Sequence, residues 1–337
     1  MYYGFPLGTG VPLSNRYEID PHALNSKRVE AVVSFERELT SDFSLGIGFN
    51  YSRNYHFPWE CEWLKNSDGI VIDGPRYYEA VGTIPGPIAG IPQYNPGDAA
   101  GREWYALKPV YQSSPDRYVK VQRRPDYYRE YKSIDIKFDK KYSDRLMFNG
   151  SVTFQDIKQY FGEAGFLDRT NLWALDGKTY GSMANNVSSR WLVKFAGYYR
   201  FPFGIDLAGV FTAREGNLFI ESFNIKDERP VTGQIHSGDI LMYEMGKKRL
   251  PVFYQLDLRL EKSLRISDKT NIQIMVDCFN VFNRMIDIAR NNLDHGTLVM
   301  KPDGSYRWES NPDSWTNGGI RQVLNPRIFR LGVRFTF

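Results

Sequence analysis

Apolar and polar residues alternate with a period of two over nine separated stretches of the chain, which predicts strands with one dry face and one wet face. The clearest stretch runs from Tyr254 to Glu261. There Tyr254, Leu256, Leu258 and Leu260 alternate with Gln255, Asp257, Arg259 and Glu261. Eight of the nine stretches fall into four hairpins: 28–38 with 42–55, 132–140 with 145–155, 189–200 with 205–213, and 253–264 with 271–282. The ninth, 327–337, places Phe329, Leu331, Val333, Phe335 and Phe337 on one face and Arg330, Gly332, Arg334 and Thr336 on the other.

The turns inside the hairpins are short: Ser41-Asp42, Ser143-Asp144 and Ser267-Asp268 recur, and Phe201 to Gly204 makes the fourth. The connections between hairpins are long, at about 56–131, 156–186, 214–251 and 284–326. Soluble domains seldom carry so many long irregular loops. Short turns at one end and long loops at the other are the pattern of an outer-membrane barrel, with the turns periplasmic and the loops extracellular. The expected architecture is therefore all-β: about nine antiparallel transmembrane β-barrel strands over 27–337, preceded by a loop segment at 1–26. An antiparallel single-chain barrel closes with an even strand number. Nine strands leave edges unpaired in lipid, unless 1–20 or 118–123 hides a tenth.

Composition changes this picture little. Mean hydropathy is negative, and no stretch approaches the roughly 18 to 20 apolar residues that a transmembrane helix needs. A barrel escapes that test, because every second residue faces the lumen. The net charge of +4 is small, with no basic run interleaved with aromatics, and so gives no sign of nucleic acid. Cys61 and Cys278 are too few for a disulfide framework and read as separate thiols. The four histidines, His22, His56, His236 and His295, lack metal-ligand spacing, so no metal or cofactor is expected. Asp287, Asp294, Glu309 and Asp313 read as solvated loop charge. The first fifteen residues show no basic segment followed by an apolar one, so no secretory signal is expected there.

Three runs carry a resemblance: Leu256 to Ile266 (LDLRLEKSLRI), Val276 to Arg284 (VDCFNVFNR) and Leu324 to Phe337 (LNPRIFRLGVRFTF). Together they resemble the C-terminal end of TonB-dependent outer-membrane receptors, of the type whose barrel follows a carboxypeptidase-regulatory-like domain. Ala213 to Asn217 (AREGN) is similar to a weaker segment in which an upstream strand leaves the barrel. The resemblance implies the last part of a barrel of roughly 22 strands, its lumen filled by a plug. It also implies energy-coupled import of a nutrient, residence in the cell outer membrane of a Gram-negative-type bacterium, and no enzymatic activity. The implied partners are membrane lipid, a plug and further strands from upstream sequence, the TonB complex, and the barrel-assembly machinery. Phe335 and Phe337 become candidates for the assembly signal.

Candidate ligand contacts lie among the loop aromatics, whose flat rings stack on ligands while a hydroxyl or indole nitrogen bonds at the edge. Trp104, Tyr105 and Tyr94 lead in the first long loop, with Trp308 and Trp315 in the last. The competing reading is that such aromatics pack on one another or sit in the interface girdle, for which Tyr55, Tyr131, Tyr160, Trp191, Tyr198 and Tyr199 are placed by position. Asp135, Lys137, Asp257, Arg259, Arg330 and Arg334 are expected to face the lumen and hold a plug by charged hydrogen bonds. Two other classes stay open: a small autonomous outer-membrane barrel, either a porin-like channel or a hydrolase built at the rim on His22 or His295, and a soluble β-sandwich. No GxSxG nucleophile elbow supports the hydrolase, and the loop asymmetry argues against the sandwich.

Overall fold

In the computed structural model, residues 17–20, 25–65, 71–73, 78–107, 117–123, 127–167, 178–184, 189–229, 237–267, 270–312 and 316–337 are described. His22, His236, Asp268, Asp313 and Trp315, and residues 1–16 of the segment that could hide a tenth strand, lie outside them.

Nine strands form one continuous antiparallel path: β1 (Lys27–Thr40), β2 (Phe43–Tyr55), β3 (Tyr127–Ser143), β4 (Leu146–Leu167), β5 (Trp191–Phe201), β6 (Ile205–Arg214), β7 (Phe253–Arg265), β8 (Asn271–Phe279) and β9 (Ile328–Thr336). Each of the nine expected stretches is present within a few residues of its expected limits, except that β3 and β4 run well past theirs toward the loop end. There β4 gains an outer partner, Lys178–Ala184. No tenth strand joins the path from 117–123. That segment pairs instead with Pro58–Lys65 and with Tyr17–Ile19 in a separate small sheet. Among the described residues β1 and β9 each pair on one side only, so the sheet is open.

The short connections are tight for local reasons. Asp144 and Arg145 both take positive φ (49° and 68°), as a two-residue hairpin turn with the twist of its flanking strands requires. The Asp42 carboxylate accepts from the Lys140 ammonium and the Ser143 hydroxyl, which ties the first two turns together.

Register sorts the wall into two faces, because a one-residue slip would exchange them everywhere at once. One row runs Phe35, Ile47, Ile136, Val152, Val193, Ala213 and Tyr254 across seven strands, all on the apolar face. A neighbouring row runs Ser34, Gly48, Asp135 and Thr153 on the polar face. The apolar face is uncovered, and Leu331 is 78% exposed. Parity corrects two girdle assignments. Tyr131 pairs with Ser52 and donates to Gln155 Oε1 (3.3 Å), and Tyr198 pairs with Met147 and Ala208, so both belong to the polar face. Tyr55, Tyr160, Trp191 and Tyr199 lie on the apolar face.

The described parts of the long connections carry strands of their own. Glu221–Asp227, Ser237–Leu241, Leu293–Met300 and Tyr306–Ser310 form a four-stranded sheet drawn from two of them, with one parallel pair, and Tyr78–Thr83 pairs with Glu103–Leu107 in a third.

Candidate functional site

Three connections that are far apart in sequence converge on one hydrophobic core. Ile84, Tyr94, Ala99 and Trp104 come from the first, Phe223, Ile225, Ile240 and Met242 from the third, and Leu298 and Met300 from the last. Tyr94 meets the ring of Phe223 edge-on at 5.6 Å and the ring of Trp308 at 5.5 Å, and its hydroxyl donates to the Pro85 carbonyl (2.9 Å). Burial holds the Tyr94 phenol above its ordinary pKa. The backbone N–H of Asp98 donates to Met242 O (2.7 Å) and Lys247 Nζ reaches the Asp98 carboxylate (2.6 Å), joining the first connection to the third.

Of the leading candidate aromatics, Tyr94 and Trp104 therefore build this loop body instead of facing outward. Tyr94 is 2% exposed and Trp104 is 3% exposed. A Cβ at Gly82 would stand 2.9 Å from Trp104 Nε1, so the indole fits because residue 82 has no side chain. Tyr105 sits beside it in Glu103–Leu107, paired with Ala80. Trp308 is half-buried against the same core. Sequence reading could not find the assembly, because its members carry no shared periodicity.

The loop body joins the wall at Ala213 to Asn217, the AREGN segment. Glu215 is buried and accepts from the backbone N–H of Arg190 (2.8 Å) and from its Nε (2.9 Å), with Arg249 Nη1 3.2 Å away. Burial raises the Glu215 pKa, but the hydrogen bonds from Arg190 and the charge of Arg249 outweigh it and hold the carboxyl below its usual range. Arg214 Nη1 donates to Asn217 Oδ1 (2.8 Å), and Asn217 Nδ2 donates to the Ile288 carbonyl (3.0 Å). At Gly216 a Cβ would fall 1.8 Å from the Leu250 carbonyl oxygen, so only glycine lets residues 250–251 cross there.

The other quoted motif is also an anchoring device. In Phe279 to Arg284, Asn280 and Asn283 both take positive φ (50° and 51°), a region asparagine tolerates better than most residues. Asn280 Nδ2 donates to the Arg284 and Asn325 carbonyls (3.1 and 2.7 Å), and Asn283 Oδ1 accepts from Arg327 N (3.0 Å). The end of β8 is thus locked to the start of β9.

Of the six expected lumen charges, four are engaged within the wall. Asp135 accepts from Asn50 Nδ2 (2.7 Å), Ser133 Oγ (3.0 Å) and Thr153 Oγ1 (2.5 Å). Asp257 accepts from Gln255 Nε2 (2.9 Å) and the Asn280 N–H (2.8 Å). Arg259 and Arg330 both bind Asp277, at 2.6 and 2.7 Å, linking β7, β8 and β9 across one row. Asp277 was not singled out in the sequence, although its place opposite two arginines follows once the register is known. Lys137 and Arg334 have no hydrogen bond or ion pair among the described residues. Lys137 lines a trough of about 720 Å³ together with Asp139, Lys194, Gly46, Gly48 and Ser151.

Phe335, near the end of β9, and Phe337, just beyond it, have ring centroids 5.6 Å apart. Cys278, on the apolar face, is a free thiol. His295 Nε2 stands 3.1 Å from Glu221 Oε2 on the loop sheet. No grouping of His, Cys, Asp and Glu suited to a metal ion occurs among the described residues.

No protein-family model and no curated protein matches the chain. Its backbone is similar to parts of several larger solved structures. The ferripyoverdine receptor of the outer membrane of Pseudomonas aeruginosa is 9% identical at a TM-score of 0.44, covering 93% of this chain and 27% of its own. The FrpB iron transporter from Neisseria meningitidis is 11% identical at 0.42, covering 95% and 32%. The outer membrane transporter YddB from Escherichia coli is 9% identical at 0.41, covering 94% and 33%. The chain thus spans about a quarter to a third of these neighbours' length.

Proposed function

We propose that this chain is the C-terminal barrel wall and loop cap of a TonB-dependent-type outer-membrane receptor that imports a nutrient. The observation that carries this reading is the one-sided sheet: nine strands with a continuous uncovered apolar face, a polar opposite face, tight turns at one end and structured loops at the other. Such a sheet suits lipid on one side and a wet lumen on the other. The Asn280–Asn283 lock and the alternating last strand, which carry the family resemblance, add to it. Further strands supplied by upstream sequence pair with β1 and β9, since backbone groups left open in lipid cost several kcal/mol each.

In this reading the loop body captures ligand on the surface built over Tyr94 and Trp104, with Tyr105, Trp308 and Trp315 as candidate contacts. A plug within the lumen then rearranges when the TonB complex pulls on it. Asp135, Asp257, Arg259 and Arg330 shape the lumen wall, while Lys137 and Arg334, whose charges are unspent, bond the plug. Phe335 and Phe337 serve as the signal read by the barrel-assembly machinery. The chain works by binding and conduction, not catalysis.

Electrophoretic mobility of cold and boiled samples tests this. The chain refolded alone in detergent is expected to show no heat-modifiable band, and to acquire one with its upstream sequence. A heat-modifiable band from the chain alone would replace this reading with a small autonomous barrel.

A further inference from the structure

On the apolar face the rows change character abruptly toward the loop end of β2, β3 and β4. Phe49, Ile134 and Phe154 form the last wholly apolar row. Above it stand Tyr51, Lys132 and Asp156, then Arg53, Glu130 and Lys158, then Tyr55, Tyr128 and Tyr160. This top row and the arginine below it are built as a stack: Tyr128 and Tyr160 are parallel at 4.7 Å, and the Arg53 guanidinium lies 3.6 Å from the Tyr128 ring centre. Tyr51 donates its hydroxyl to Glu130 (3.1 Å), which also holds Lys132 at 3.0 Å. Glu130 is the more buried of that pair (14% against 49%), so the lysine presents its charge outward. Lys158 lies 3.5 Å from Asp156. At the junction of the apolar and charged rows is a shallow groove of about 300 Å³, with Phe49, Ile134 and Phe154 along its apolar side and Lys132, Asp156 and Arg190 along its polar side.

We propose that this groove, with the charged rows above it, is a binding site for the phosphate-bearing headgroup of an outer-leaflet lipid. The inference rests on the reading of the sheet as a membrane wall. The match is one of depth and chemistry. An amphiphile needs an apolar floor for its acyl chains directly beneath donors for its anionic head, and the row order supplies both within four residues of strand. Arg53, Lys132 and Lys158 carry three positive charges on three adjacent strands against the two carboxylates Glu130 and Asp156, and tyrosine hydroxyls add neutral donors. Arginine and lysine make strong charge-assisted bonds to phosphate. A free anion would gain nothing from the phenylalanines, which is why the site fits a lipid better than dissolved phosphate.

The test uses the full-length gene product in zwitterionic lipid nanodiscs. Binding is measured by native mass spectrometry for a bisphosphorylated acylated glucosamine disaccharide, for the same lipid stripped of phosphate, and for inorganic phosphate. The phosphorylated lipid is expected to bind about tenfold more tightly than the stripped one. The combined Arg53→Gln, Lys132→Gln and Lys158→Gln variant is expected to abolish that preference while keeping its heat-modifiable mobility. Equal binding of the two lipids, an unchanged preference in the variant, or displacement of the lipid by millimolar inorganic phosphate would overturn the site. Should the variant misfold, the comparison of the two lipids on the unaltered protein decides. Protein that never becomes heat-modifiable in neutral lipid would sink the membrane-wall reading and this site with it, whereas insertion without lipid preference sinks only the site.

Discussion

The wall and the loop body use the same residue types in opposite ways. In the wall, Phe329, Leu331, Val333 and Phe335 are turned outward, and strand pairing holds the sheet together with no second layer over them. In the loop body, Phe223 and Leu298 are fully enclosed, and the pairs of strands are too short to stand without that core. An uncovered apolar sheet belongs in a medium as apolar as itself, and an enclosed core belongs in water. On the proposed reading, the boundary between the two environments falls where Glu215 and Gly216 join the wall to the loop body.

Four perturbations separate the two regions, beginning with the largest. Phe223→Ala removes a fully buried ring that touches Tyr94 and is expected to cost the loop body about 3–5 kcal/mol. In the protein assembled with its upstream sequence, limited proteolysis should then cut the loops quickly while the heat-modifiable band is kept. A simultaneous loss of that band would show that the two regions fold as one unit. Leu258→Arg places a charge in the middle of the apolar face, next to Gly209 and Cys278. If that face meets lipid, the cost is about 2–4 kcal/mol, read as a lower urea midpoint in bilayers with the loops unaffected. A neutral result there would mean that the face meets something wetter than lipid.

Asp277→Ala unpairs Arg259 and Arg330, both of which reach solvent on the polar face. The loss is discounted to about 1 kcal/mol for that exposure, and should show as earlier fraying of β9 in hydrogen exchange. The smallest effect is a pH dependence at the rim. Glu215 has its pKa lowered in the folded protein from an ordinary value near 4.5. Its contribution is therefore complete above that ordinary value and is lost as pH falls through the lowered folded one. Loop protection against an acid-active protease should weaken at the bottom of that range in the native protein. In Glu215→Gln it should be weaker at neutral pH and lack that component of the acid response.

The wall was readable because its residues obey one local rule. Alternation from Tyr254 to Glu261 or from Ile328 to Thr336 fixes which side chains share a face before any partner strand is known. Tyr131 and Tyr198 are misplaced when position along the strand is used in place of that rule. Asp277 escaped notice because a single acid in a strand gains meaning only when register sets it between Arg259 and Arg330. The motif at Phe279 to Arg284 was visible as a pattern, yet its two left-handed asparagines emerged only from backbone geometry.

By itself the sequence determined the nine strands, their hairpin pairing, their two faces and the ends at which turns and long loops lie. All of these follow from interactions between near neighbours in the chain. The tertiary structure alone decided that the loops form a body, that Tyr94 and Trp104 are its interior instead of its surface, and that Glu215 is buried among arginines. The loop core joins Ile84 to Leu298 across most of the chain. Contacts of that separation leave no period in a sequence, since each partner is selected only for fitting a space the other segments enclose.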